Sequence, residues 1–116
     1  MITRLALALS MIVLAACGGA IPSPPAAPHI GDTPITVPSM PPPGRVEIVP
    51  AAPAALKNPV WIDGEWEWTG RRWAWKSGRW EDLEPGAAWA GPLTVRTPDG
   101  SLSHFKGTWK KGAPAR

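Results

Sequence analysis

From residue 60 to residue 80 the chain reads VWIDGEWEWTGRRWAWKSGRW, tryptophans alternating with charged and small residues. The tryptophans stand at 61, 66, 68, 73, 75 and 80, with gaps of 5, 2, 5, 2 and 5, a seven-residue repeat. A helix fails the pattern, because Gly64, Gly70 and Gly78 interrupt it every two turns and the two tryptophan sets lie on different helical faces. A five-residue strand followed by a two-residue turn also repeats every seven. Asp63-Gly64, Gly70-Arg71 and Ser77-Gly78 then serve as primed hairpin turns, with glycine where φ must be positive.

Those turns set a register. Trp61 faces Trp66, Trp66 faces Trp75 and Trp75 faces Trp80 in one row across four strands, and Trp68 faces Trp73 one pleat further on. The opposite face carries Ile62, Glu65, Lys76 and Arg79, then Val60, Glu67, Ala74 and Glu81, with cross-strand charge pairs such as Glu65–Lys76. A one-residue slip would destroy this split between an aromatic and a charged face.

The pattern weakens but persists downstream. Trp61, Trp75 and Trp89 are fourteen apart, WIDGEW matches WKSGRW, and HFKGTW ends at Trp109. LTVRTPDGSLSHF between them reads as a hairpin turning at Pro98-Asp99-Gly100. The fold expected is all-β: a small antiparallel hairpin meander of about six strands with a tryptophan-rich face, over residues 59–111 with a tail at 112–116. Six tryptophans of roughly 200 Å² each would present about 1,200 Å², beyond the roughly 300–600 Å² that a soluble monomer leaves exposed. A cover is therefore required, and Trp89, Leu93, Val95, Phe105 and Trp109 of the later hairpin are the residues expected to supply it.

Upstream the composition changes. Residues 18–59 hold twelve of the sixteen prolines and read as a disordered linker, a stalk that reaches on the order of 100 Å when extended. Two islands within it, TPITVP and GRVEIVP, alternate enough to add as edge strands. The start of the 116-residue chain reads as a secretory signal over 1–16, with Arg4 followed by an apolar run from Leu5 to Ala16. That run is too short for a membrane span of roughly 20 residues. Leu14-Ala15-Ala16-Cys17 resembles the bacterial lipobox, which implies cleavage between Ala16 and Cys17, a lipid on Cys17, and a lipidated linker over 17–58. By the same resemblance to bacterial lipoproteins, Gly18 after the cysteine implies sorting to the outer membrane. Without Arg4 the formal charge falls from +3 to +2, too small to argue for nucleic acid.

The pattern W-x-x-G-x-W-x-W-x-G-R-R-W-x-W-x-x-G-x-W resembles the YXWGXW-repeat, tryptophan-rich lipoproteins of Gram-negative bacteria, whose members join a lipobox, a Pro/Ala-rich spacer and aromatic repeats. Trp73 stands where the family's motif has tyrosine, and this chain has no tyrosine. Some members resemble the small accessory lipoprotein encoded within contact-dependent inhibition loci.

No catalytic set accompanies the repeat. Glu65 and Glu67 share a flat face with Lys76 and Arg79, an environment that does not raise a general acid's pKa. Ser101, Ser103 and His104 lack an orienting acid, and His29 and His104 belong to no metal set, so neither catalytic residue, metal nor cofactor is expected. The function expected is a non-catalytic envelope binding or scaffolding module that contacts glycan, such as peptidoglycan, through Trp61, Trp66, Trp68, Trp73, Trp75 and Trp80. The alternative is an accessory lipoprotein of a surface or secretion system, partnered by an envelope protein or a second copy, with the tryptophans as core or interface.

Overall fold

The computed structural model describes residues 20–112; the signal segment, Ala16, Cys17 and the last four residues lie outside it. Among the described residues there is no helix. Nine short strands run in order: β1 (Ile35–Val37), β2 (Pro59–Ile62), β3 (Glu65–Trp68), β4 (Trp73–Lys76), β5 (Arg79–Asp82), β6 (Ala87–Ala90), β7 (Leu93–Arg96), β8 (Leu102–Phe105) and β9 (Thr108–Lys111). All the strand pairings are antiparallel, so the expected all-β class holds.

The topology is two long hairpins, each broken once. In the first, β3 pairs with β4 and β2 with β5. One register runs through both ladders without slip, so Asp63 and Gly64 stand opposite Gly78 and Ser77 at the break. In the second, β7 pairs with β8 and β6 with β9, again in a single register, and Gly91-Pro92 stand opposite Lys106-Gly107. Pro92 has no N–H to give a ladder, a local reason for that interruption.

Two turns close these hairpins as the sequence predicts. Gly70 has φ +95° and is the only central residue of its turn with positive φ, while the Thr69 N–H donates to the Arg72 carbonyl at 3.0 Å. A positive φ at the first central position alone is the signature of a type II′ hairpin turn. At the other tip Gly100 has φ +87°, and the Thr97 N–H donates to the Ser101 carbonyl at 2.9 Å. Asp99 accepts from Ser101 N–H at 3.0 Å and Ser101 Oγ at 2.7 Å, and also from Thr97 Oγ1. These hydroxyl and amide donors lower its pKa to about 2.

The other two expected turns are corrected. Asp63-Gly64 and Ser77-Gly78 do not reverse the chain, and neither glycine has positive φ. Each instead carries the strand straight through the break, so Trp61 faces Trp80 and not Trp66, and Trp75 does not face Trp80. The single four-strand row is therefore replaced by separate opposed pairs. The spacing admits both arrangements, because a hairpin folded about Gly70-Arg71 aligns every tryptophan of one repeat with one of the other. The long hairpin is favoured because it leaves the glycines free for packing.

The proline-rich segment does not stand off as a stalk. Pro22 takes the Trp61 N–H on its carbonyl at 2.8 Å. Three residues on, Pro25 accepts from Trp89 N–H at 2.7 Å and Ala27 N–H donates to the Trp89 carbonyl at 3.0 Å, so 22–27 link the two hairpins. His29 then stacks on Phe105 at 4.9 Å, and Asp32 pairs with Lys110. The TPITVP island forms β1 and extends the second hairpin by pairing with β8, whereas GRVEIVP joins no ladder. Proline's fixed φ and missing N–H suit an extended strap that uses its proline carbonyls as acceptors.

The core is thin. Val37, Val60, Trp61, Ile62, Ala87, Ala88, Ala90 and Leu102 are its buried apolar residues, and Ile62 is the largest fully buried side chain among the described residues. So few aliphatics leave much of the packing to indoles.

Candidate functional site

The tryptophans meet as four cross-strand pairs. Trp61–Trp80, Trp66–Trp75, Trp68–Trp73 and Trp89–Trp109 stand opposite in register, with ring centroids 5.5, 5.2, 5.4 and 5.1 Å apart and planes inclined at 66–70°. This edge-to-face arrangement places the positive rim of one ring on the negative face of the other and contributes about 0.5–1.5 kcal/mol per pair beyond burial. The fourth pair went unseen in the sequence because the 14-residue spacing is lost between Trp89 and Trp109.

Three of the break glycines, Gly64, Gly78 and Gly107, each seat an indole. A Cβ on Gly78 would collide with Cζ2 of Trp61, and one on Gly64 would collide with Cζ2 of Trp75. On Gly107 a Cβ would lie 2.5 Å from Cζ2 of Trp89. The tryptophan of one arm thus lies over the glycine of the other, which explains why W-x-x-G recurs as a unit. A second consequence follows at two of these glycines, whose N–H groups are left outside the ladder. Gly78 N–H donates to Glu47 Oε1 at 2.8 Å, and Gly107 N–H donates to Glu65 Oε2 at 3.0 Å. Each notch takes a carboxylate.

Glu65 is accordingly buried, and the expected Glu65–Lys76 pair is corrected: Lys76 Nζ lies 3.6 Å from Glu67 instead. The Gly107 amide draws Glu65 inward because an N–H to a charged acceptor makes a strong bond in a partly buried site. Arg79 pairs with Glu81 at 3.0 Å and lies over the Trp89 ring, and Trp109 Nε1 donates to Glu81, so these side chains join the two hairpins.

The cover over the first hairpin is the proline-rich strap. Trp73 Nε1 donates to Ser39 Oγ at 3.3 Å, Trp66 Nε1 to the Pro43 carbonyl at 3.1 Å and Trp80 Nε1 to the Pro50 carbonyl at 2.8 Å. Arg45 lays its guanidinium over Trp66 at 4.9 Å and near Trp75 at 5.9 Å. None of the eight tryptophans is exposed: Trp61 is buried and the others are half-buried. Leu93 and Val95, expected in the covering layer, are exposed instead. The strap residues were missed because a proline-rich composition has no periodicity. Their one signal is Arg45-Val46-Glu47-Ile48, where the charged positions face the domain and Val46 and Ile48 stand fully in solvent at 101% and 96% exposure.

His104 is buried against the edge of Trp73 at 4.8 Å and shares a hydrogen bond of 2.7 Å between Nδ1 and Thr94 Oγ1. Burial lowers its pKa, partly opposed by the charge of Glu65. Its Nε2 has no partner among the described residues. Ser101 is engaged by Asp99 in the turn and makes no contact with this histidine's hydrogen-bonded nitrogen. Among the described residues no group of three or more His, Cys, Asp or Glu side chains is arranged to hold a metal ion.

Paired indoles, seated on glycines in a broken β ribbon, define a tryptophan-rich repeat protein. Residues 60–81 match the family model described as WXXGXW repeat (2 copies), so that stretch carries the family's tryptophan-rich repeat. The match spans the first hairpin from Val60 to Glu81, all but its end residues Pro59 and Asp82. No curated protein and no solved structure matches the chain.

Proposed function

We propose that this chain is a lipid-anchored, non-catalytic module of the cell envelope that binds or scaffolds another protein, its tryptophans serving as the core of the fold. The observation that carries this reading is the strap: the indole N–H groups of Trp66, Trp73 and Trp80 are already taken by residues 39–50 of the same chain. A sugar ring stacks on an open indole face, and stacking here would require displacing that cover. The anchor rests on the lipobox-like Leu14-Ala15-Ala16-Cys17, and the outer membrane on Gly18.

Co-sedimentation of the chain with peptidoglycan sacculi tests the reading. The expected result is no saturable pelleting. Saturable pelleting abolished by Trp66→Ala/Trp75→Ala in a folded variant would overturn it and make the aromatic pairs a glycan platform. Metabolic labelling with palmitate tests the anchor: label is expected on the wild type and absent from Cys17→Ser.

A further inference from the structure

We infer that the paired indoles of the first hairpin form a recognition surface for an extended proline-rich chain, filled in cis by residues 39–50, and that a second copy of this protein can fill it in trans. The inference deepens the scaffolding reading by naming the partner. It stands whether or not Cys17 carries a lipid.

The chemistry of the surface is that of polyproline recognition. Aromatic rings line it, and indole N–H groups donate to carbonyls of a chain that has few amides of its own to satisfy. Pro43 and Pro50 supply two of those carbonyls, at 3.1 and 2.8 Å from Trp66 and Trp80. Between them, Arg45 and Glu47 add specificity. The guanidinium needs the Trp66 and Trp75 faces, and the carboxylate needs the notch that Gly64 and Gly78 leave open. A segment with proline carbonyls on either side of an Arg-x-Glu pair fits this surface, and residues 43–50 of the chain are such a segment.

Three observations make exchange between copies the expected behaviour. Two of the strap's apolar side chains, Val46 and Ile48, point away into solvent and none is fully buried, so little apolar burial holds it down. Its three indole hydrogen bonds all lie at exposed positions. The connector that returns it to β2 is exposed from residue 51 to residue 55, so the strap can lift without unpacking its neighbours. A contact made of three exposed indole hydrogen bonds, one part-buried Glu47–Gly78 bond and the Arg45 guanidinium over two rings is small enough to open, and the same contacts form when the strap comes from a second copy.

The test uses two complementary variants. Arg45→Ala/Glu47→Ala weakens the strap and frees the surface, whereas Trp66→Phe/Trp80→Phe keeps an aromatic ring at each position but removes two donors and frees the strap. Sedimentation velocity is expected to show each variant alone as a monomer and their mixture as a one-to-one dimer. No dimer on mixing two folded variants would overturn the inference. A peptide of residues 38–51, titrated into Arg45→Ala/Glu47→Ala and followed by tryptophan fluorescence, gives a second reading that does not depend on the tryptophan variant folding. It is expected to bind at least about tenfold tighter than the same peptide carrying both substitutions, the effect of losing roughly 1.4 kcal/mol. Equal binding of the two peptides, or equally tight binding of decaproline, would overturn the assignment of the second copy's strap as occupant.

Discussion

Replacing Gly78 with alanine distinguishes a packing glycine from a turn glycine. Its φ is not in the left-handed region, so the backbone itself accepts alanine. The obstacle is space: the new Cβ would collide with Cζ2 of Trp61, lie 2.9 Å from its Cε2 and 2.8 Å from the Ile62 carbonyl oxygen. Trp61 is the most buried of the tryptophans at 8% exposure and cannot swing into solvent without losing its edge contact with Trp80. Overpacking of this kind costs about 1–3 kcal/mol, and the displaced indole puts Gly78→Ala at the upper end, near 3 kcal/mol. Urea denaturation followed by tryptophan fluorescence measures it. Gly44 is the control, since a Cβ there meets nothing within 4 Å and φ is not positive. Gly44→Ala is expected to be neutral or to stabilise by about 0.4–1 kcal/mol through the unfolded chain. Combining Gly78→Ala with Trp61→Phe removes the colliding ring edge, so the double variant should be more stable than the sum of the single changes by at least about 0.5 kcal/mol. A Gly78→Ala protein within about 0.5 kcal/mol of wild type would refute the packing argument.

Other outcomes follow from the same geometry. His104 has a lowered pKa in the fold, so it binds protons more readily when unfolded; stability is full above the ordinary value of 6.5 and falls as pH drops below it. Chemical denaturation between pH 7.5 and 5 should show that loss, and His104→Gln should flatten the slope. Glu65→Leu strands the Gly107 amide and should cost about 1–3 kcal/mol by urea denaturation, whereas Glu65→Gln, which keeps an acceptor, should cost less. Val46→Ser/Ile48→Ser should change stability by no more than about 0.5 kcal/mol, because both side chains already stand in water.

The parts of this fold that could be read from the sequence are those set by local rules. Alternation of tryptophan with charge gave strands, and a positive-φ glycine at Gly70 and at Gly100 gave two turns and the Trp66–Trp75 and Trp68–Trp73 pairs. Asp63-Gly64 and Ser77-Gly78 carry the same dipeptide signal, yet their glycines answer to an indole from across the hairpin, which no local rule contains. Trp61 and Trp80 were therefore joined to the wrong partners, although both pairings obey the same alternation. The tryptophan site was half legible for a related reason. The indoles that need a cover can be counted in the sequence, but what covers them is a proline-rich segment docked by the Pro43 and Pro50 carbonyls and by Ser39, Arg45 and Glu47, a set with no periodicity to read. Glu47 and Glu65 follow suit, since their partners are backbone amides freed only where the ladders break.

The most direct test of the account is a nuclear Overhauser spectrum of the chain in solution, read at the Trp66 and Trp61 rings. The account predicts cross-peaks from Trp66 to Arg45 and Pro43, and from Trp61 to Trp80. Cross-peaks from Trp61 to Trp66 in place of Trp80, with none from the strap to Trp66, would contradict it and return the tryptophans to an open face.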